Sequence, residues 1–307
     1  MNYLKTFRTI KLFDLVINGD FESITRELKS KFIELNGYDK DGRTLLDLAC
    51  RHDYPKIVNL LLNDPRVDVN KPNSLGASPL VVATFYGKLE PARLLLSDGR
   101  VNVNLSWNEG ETPFFGACQQ GQLEIVKLLL KDSRIDPNLC KNNGMSPVYI
   151  ASERGRTDII KLLAKNQNIL LNQTCSENCT AIWIAAQNGH INIIKLLLSS
   201  NQKIDTKIQW KINNSDAITQ ALLNSKLPQQ DWEVEEDMQR RHQNCPKIAT
   251  LLREYEEQEI EVRNKLRLEL GYQGFFFLFL FIFFFSFFSF LFLFLFLFLF
   301  LFLLKKR

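Results

Sequence analysis

The stretch that decides the fold is Gly110-Glu-Thr-Pro-Phe-Phe-Gly-Ala-Cys-Gln-Gln-Gly121, followed by Leu123-Glu-Ile-Val-Lys-Leu-Leu-Leu130 and closed by Ile135-Asp-Pro-Asn138. Thr112 suits a helix N-cap, because its side-chain oxygen can accept an orphan N–H of the first turn. Pro113 then falls at the first helical position, where its missing N–H costs nothing. The short helix ends at Gly121, which enters a left-handed backbone without a Cβ penalty. A second helix follows. Its apolar residues at 125, 126, 128, 129 and 130 form a stripe too wide for one unit to bury alone.

The same unit recurs every 34 residues along the chain. Thr44, Ser78, Thr112, Ser146 and Thr180 form one column. Ala49, Ala83, Ala117, Ala151 and Ala185 form another, and Gly42, Gly76, Gly110, Gly144 and Asn178 a third. Gly87, Gly121, Gly155 and Gly189 mark the helix ends, with Asp53 in the first copy, and Asn36, Asn70, Asn104, Asn138 and Asn172 close each unit. Units that each leave an apolar stripe uncovered must stack on their neighbours.

These columns resemble the ankyrin repeat, over residues 41–200. The T-P start, the Gly after the first helix, the Leu-rich second helix and the closing Asn all match. The family period is about 33; the extra residue here lies in the link after the second helix, as in Asn63-Asp-Pro-Arg-Val-Asp-Val-Asn70. A tetratricopeptide array also repeats every 34 or so residues but lacks the T-P and closing Asn columns. The resemblance implies an all-α ankyrin-repeat solenoid of helix-turn-helix units with hairpin-like turns.

The expected organisation is an N-terminal capping unit at 1–40, five repeats at 41–200 and a degenerate capping repeat at 201–258. A helical stalk is expected at 259–274 and a Phe/Leu tract at 275–304. After Leu198 the register slips: Asn214–Ala221 reads as a decayed first helix and Pro246–Leu252 as a second. Between them lies a polar, acidic insert at 227–244 containing Trp232. It reads either as an irregular loop or as a partner-binding segment. Residues 246–270 read as one long helix.

Chemistry-bearing motifs are thin. Cys175 and Cys179 have neither a second Cys pair nor a matching His spacing for zinc, and read as small apolar fillers. Cys50 and Cys118 fall in core columns. His190 stands at the repeat's Gly-His position, for which the resemblance implies a structural hydrogen bond; His52 and His242 have no acid or nucleophile at motif spacing. No phosphate loop, nucleophile elbow or H-E-x-x-H occurs. No catalytic, cofactor-binding or metal-binding residue is expected, and the chain reads as non-enzymatic. A net charge of +4 over 307 residues, with no concentrated basic stripe, argues against nucleic acid. Lys127, Lys161 and Lys195 read as a solvated convex face.

A recognition surface remains. The resemblance implies that ligands meet the turn tips and the exposed ends of the first helices. By register those positions include Arg51, Phe85, Tyr86, Gln119, Gln120, Glu153 and Arg154, with Trp107 on a tip. Phe85, Tyr86 and Trp107 are expected to face one side near one another, as exposed aromatic anchors for a protein partner.

The chain contains 24 Phe, and seventeen of them lie in residues 275–304. This thirty-residue tract, apolar except for Ser286 and Ser289, would span about 45 Å as a helix, enough for a bilayer core of about 30 Å. The tract therefore reads as a tail anchor that holds the repeats at the cytosolic face of a membrane. Its other reading is a gene-model artefact, a pyrimidine repeat of an intron or untranslated region read as coding, since Phe, Leu and Ser all have pyrimidine-only codons. The sequence shows no N-terminal signal peptide. The leading expectation is a cytoplasmic interaction scaffold. The alternatives are a membrane-tethered adaptor and a fragment of a larger signalling or ubiquitin-ligase protein.

Overall fold

The computed structural model describes residues 2–30, 33–227 and 234–271. Helices follow one another in pairs. The first pair is α1 (Asn2–Ile17) with α2 (Phe21–Leu28). Then come α3 (Leu45–Arg51) with α4 (Pro55–Leu62), α5 (Pro79–Phe85) with α6 (Leu89–Ser97), and α7 (Pro113–Gln120) with α8 (Leu123–Leu129). They continue as α9 (Pro147–Glu153) with α10 (Thr157–Leu163), and α11 (Ala181–Gln187) with α12 (Ile191–Leu198). Three further helices follow, α13 (Ala217–Asn224), α14 (Glu235–Glu257) and α15 (Glu259–Glu269). First helices pack in one layer, from α1 to α13, and second helices in another, from α2 to α12 and on to α14. Among the described residues there is no strand, and a lone antiparallel bridge joins Trp107 to Glu111.

The repeat columns have direct structural roles. Thr44, Ser78, Thr112, Ser146 and Thr180 each cap a first helix, accepting a backbone N–H at 3.1–3.3 Å. The alanines at 49, 83, 117, 151 and 185 are fully buried, so adjacent first helices approach closely. Gly121 takes φ +81°, and the Arg156 side chain of the next repeat lies 3.0 Å from where a Cβ would sit. On α8, Ile125, Val126 and Leu129 are buried while Lys127 faces water.

The closing asparagines join the units. Asn104 Nδ2 donates to the Arg134 carbonyl at 2.7 Å, and its Oδ1 accepts from the Asp136 N–H at 3.1 Å. Asn36, Asn70, Asn138 and Asn172 repeat this two-point bond to the next unit. An arginine reaches back the other way: Arg134 binds Asp132 at 2.6 Å and the Leu96 carbonyl at 2.6 Å. Arg100 and Arg66 do the same one and two units earlier. The paired guanidinium holds each of Asp64, Asp98 and Asp132 below the usual carboxylate range.

The C-terminal part departs from the sequence reading in two places. Residues 235–244 are helical, and α14 runs unbroken through Pro246 to Glu257. Burial of Arg241, Cys245, Ile248, Ala249 and Leu252 along one face outweighs the backbone bond that Pro246 cannot make. The expected single helix over 246–270 instead breaks at Gln258, where φ is −136° and ψ 51°. Nor do residues 259–269 project as a solvated stalk. Val262 and Leu266 are buried, Lys195 pairs with Glu269 at 2.8 Å, and Arg267 Nε donates to the Ser199 carbonyl at 2.9 Å. So α15 folds back over α12 and covers Lys195, the last lysine of the convex column. Trp232 and both readings of the 275–304 tract lie outside the described residues. Among the described residues, no helix is long and apolar enough to cross a membrane.

Candidate protein-binding face

Each repeat opens with a five-residue hairpin turn. At the third, Trp107 N–H donates to the Glu111 carbonyl at 3.0 Å, and Gly110 takes φ +93°, a region that disfavours a Cβ. Backbone bonds tie one tip to the next: Ser74 to Gly42 at 2.7 Å, Asn142 to Glu109 at 2.6 Å and Ser176 to Asn143 at 2.8 Å. Lys141 adds ion pairs to Glu109 at 2.8 Å and Glu111 at 3.0 Å. The tips therefore form a braced row beside the first-helix layer.

Against this row the structure gathers Arg51, Phe85, Tyr86 and Trp107. Phe85 meets Tyr86 edge-on with ring centroids 5.3 Å apart, and meets Trp107 edge-on at 6.1 Å. Arg51 lies over the Tyr86 ring at 4.6 Å and donates to its hydroxyl at 2.6 Å. Tyr86 is 46% exposed and is the most open ring of the set. Phe85 and Trp107 are half-buried. The exposed tip anchor expected at Trp107 is thus corrected. Its ring packs against the core, and its indole N–H is buried with no acceptor.

The other candidates continue along the row in separate pairs. Gln119 and Gln120 touch each other at 3.5 Å. The exposed Arg154 lies 3.7 Å from Glu153. The Glu153 carbonyl in turn accepts from Asn188 at 3.1 Å and lies 3.3 Å from His190 Nε2. Burial, with Arg240 nearby, pushes His190 down to about 4, so the ring is neutral at pH 7.

Two residues behind this face, Asp47 and its partner Asn73, escaped the sequence reading. Asp47 is fully buried, accepting from Asn73 Nδ2 at 2.6 Å and from Arg51 Nε at 3.2 Å. It positions the guanidinium that holds Tyr86. The available signal was an acid in a column otherwise occupied by Val81, Phe115, Tyr149 and Trp183. Cys50 and Cys118 are buried, and burial pushes both thiols up. Cys175 and Cys179 join Tyr149, Trp183 and Ile184 in a small second core. Among the described residues, no group of three or more His, Cys, Asp or Glu converges as a metal site.

Comparison with known proteins agrees with this geometry. The family model described as "Ankyrin repeats (3 copies)" matches residues 63–139 and 117–208. The "Ankyrin repeat" model matches residues 41–74. The crystal structure of the ankyrin repeat domain of Bcl-3, a member of the IkappaB protein family, superposes with a TM-score of 0.61 at 21% identity, covering 68% of this chain and 92% of that one. EF0377, an ankyrin repeat protein, superposes with a TM-score of 0.56 at 23% identity, covering 71% of this chain and 99% of that one. A putative glutaminase 2 of Caenorhabditis elegans is 34% identical over 79 residues, which is 26% of this chain and only 13% of that protein. Those 79 residues are too small a part of the relative to carry its activity across. With matched residues from 41 to 208, more than half of its length, the chain belongs to the ankyrin repeat family.

Proposed function

We propose that the protein is a non-enzymatic interaction scaffold that binds a protein partner along the row of turn tips and first-helix ends. Its repeats place it among protein–protein interaction modules. The observation that carries the binding face is the half-exposed Tyr86, held by Arg51 and backed by Phe85 and Trp107. A rigid aromatic ring beside a guanidinium, on a surface braced from below, has the composition of an interface hot spot. Gln119, Gln120, Glu153 and Arg154 extend the same row as its polar continuation. The capping units at 1–40 and 201–258 close the stack, and the working location is the cytoplasm.

Affinity purification with wild-type and Tyr86→Ala baits tests this reading. A partner retained by the wild type and lost by the variant, with thermal unfolding unchanged, supports the face. Equal recovery by the two baits rejects it.

A further inference from the structure

The fifth turn tip differs chemically from the other four. In every tip the N–H of the first residue donates to the carbonyl of the fifth and closes the hairpin. Arg43 Nε reaches Asp39 Oδ2 at 2.8 Å in the first tip, and Trp107 and Glu111 form an antiparallel bridge in the third. In the fifth tip the two positions hold Cys175 and Cys179. Cys175 N–H donates to the Cys179 carbonyl at 2.9 Å, and Asn178, at φ +64°, closes the turn with a 2.8 Å bond to the Cys175 carbonyl. The Cys179 N–H donates to Cys175 Sγ at 3.2 Å. The closed hairpin and this Sγ contact bring the two side chains to one end of the turn, and a disulfide between them needs a Cα separation of about 4.4–6.8 Å.

The two sulfurs are not equivalent. The neighbouring Cys179 thiol and the backbone N–H groups of Cys179 and Glu177 hold Cys175 below the usual thiol range, while Cys179, whose own thiol reaches the Glu177 carbonyl at 3.9 Å, is pushed up. Cys50, Cys118 and Cys245 are fully buried, and burial pushes each of them up; it also raises Cys140. Cys175 retains 9% exposure, beside the exposed Ser176 and Glu177. A small oxidant fits that opening better than a bulky one.

We propose that Cys175 and Cys179 form a reactive dithiol that hydrogen peroxide converts into a disulfide across the fifth turn tip. The Cys175 thiolate attacks one peroxide oxygen; the O–O bond breaks, and hydroxide leaves a sulfenic acid on Cys175. The Cys179 sulfur then displaces that hydroxyl, forming the S–S bond and releasing water with its own thiol proton. The proton first lost by Cys175 turns the hydroxide into a second water. Two thiols lose two electrons in all, and one peroxide gains them.

The bond would lie at the joint between the repeats and the C-terminal cap. Lys211 N–H donates to the Glu177 carbonyl at 3.0 Å, and Lys211 Nζ to the Ser176 carbonyl at 2.7 Å. Trp183, in the core beneath the pair, meets Trp210 at a tilt of 53° with ring centroids 4.9 Å apart. Closing the turn covalently fixes the surface on which this next segment is seated.

Hydrogen peroxide titration of the full chain followed by tryptic peptide mass spectrometry tests the proposal. One tryptic peptide, residues 166–195, contains both cysteines and no other. The expected result is the loss of two hydrogen atoms from this peptide, reversed by a dithiol reductant, before Cys140 is modified. Dimedone should label Cys175 in Cys179→Ser and leave Cys179 unlabelled in Cys175→Ser. The wild-type measurement needs no variant, so misfolding of either variant cannot mask the outcome. A peptide that keeps both hydrogens while Cys140 oxidises, or dimedone labelling at Cys179 first, overturns the proposal.

Discussion

Arg51 holds Tyr86 in two ways at once: its guanidinium lies 4.6 Å from the ring centroid, and its Nη1 donates to the phenol oxygen at 2.6 Å. The two residues belong to successive repeats, so the contact both bridges the units and fixes an aromatic ring on the surface. A ring fixed before binding loses little conformational entropy when a partner arrives. Tyr86→Ala removes this anchor but little core. It should weaken partner binding by about 2 kcal/mol, or roughly 30-fold in Kd, with little change in unfolding. Calorimetric titration with the recovered partner, beside a denaturant melt, measures both.

Asp47 is the buried support of that arrangement. Asp47→Ala leaves the Asn73 amide and the inner side of Arg51 without an acceptor. The expected loss is about 2 kcal/mol, since a buried donor stripped of its partner bears its full desolvation cost. Urea unfolding should show a lower midpoint with an unchanged slope. A midpoint equal to the wild type contradicts this assignment.

The asparagine ladder makes a separate prediction. Asn104→Ala breaks two bonds between consecutive units, to Arg134 and Asp136. A loss of about 1 kcal/mol is expected. Lys127→Ala, exposed on α8, should be neutral within about 0.5 kcal/mol. Parallel denaturation of the two variants compares a joint with a solvated face.

His190 gives the stack a pH dependence. Burial holds its folded value at about 4, below the ordinary value of 6.5. The unfolded chain therefore takes up this proton more readily, and stability falls as the pH drops. The contribution of the neutral ring is present above pH 6.5 and is lost as the pH falls through 6.5 towards 4. It amounts to at most roughly 3–4 kcal/mol. His190→Gln should flatten the melting-temperature profile across that window. A variant profile parallel to the wild type contradicts the assignment.

Much of this fold was legible in the sequence because its signals are local. A Thr or Ser cap bonds the residue three positions on, and a glycine at a helix end satisfies its own backbone. Both leave a mark at every repeat. The contacts that support the candidate face and seat the C-terminal helix are not local in this way. Asp47 meets Asn73 in the next unit, and Lys195 meets Glu269 much farther along the chain. No spacing rule reaches those pairs. Trp107 was misjudged for a related reason: its place on a tip follows from register, but its burial depends on Phe85 in the preceding repeat. Pro246 reads as a helix start by propensity, whereas packing on α11 and α12 carries α14 straight through it.

Site-directed photo-crosslinking tests the central claim most directly. A benzophenone amino acid placed at position 86 and, separately, at position 127 samples the aromatic face and the exposed side of α8 in the full chain. The account predicts a discrete crosslinked partner from position 86 that position 127 does not capture and that Arg51→Ala diminishes. The same partner captured equally from position 127, or capture from position 127 alone, would contradict it.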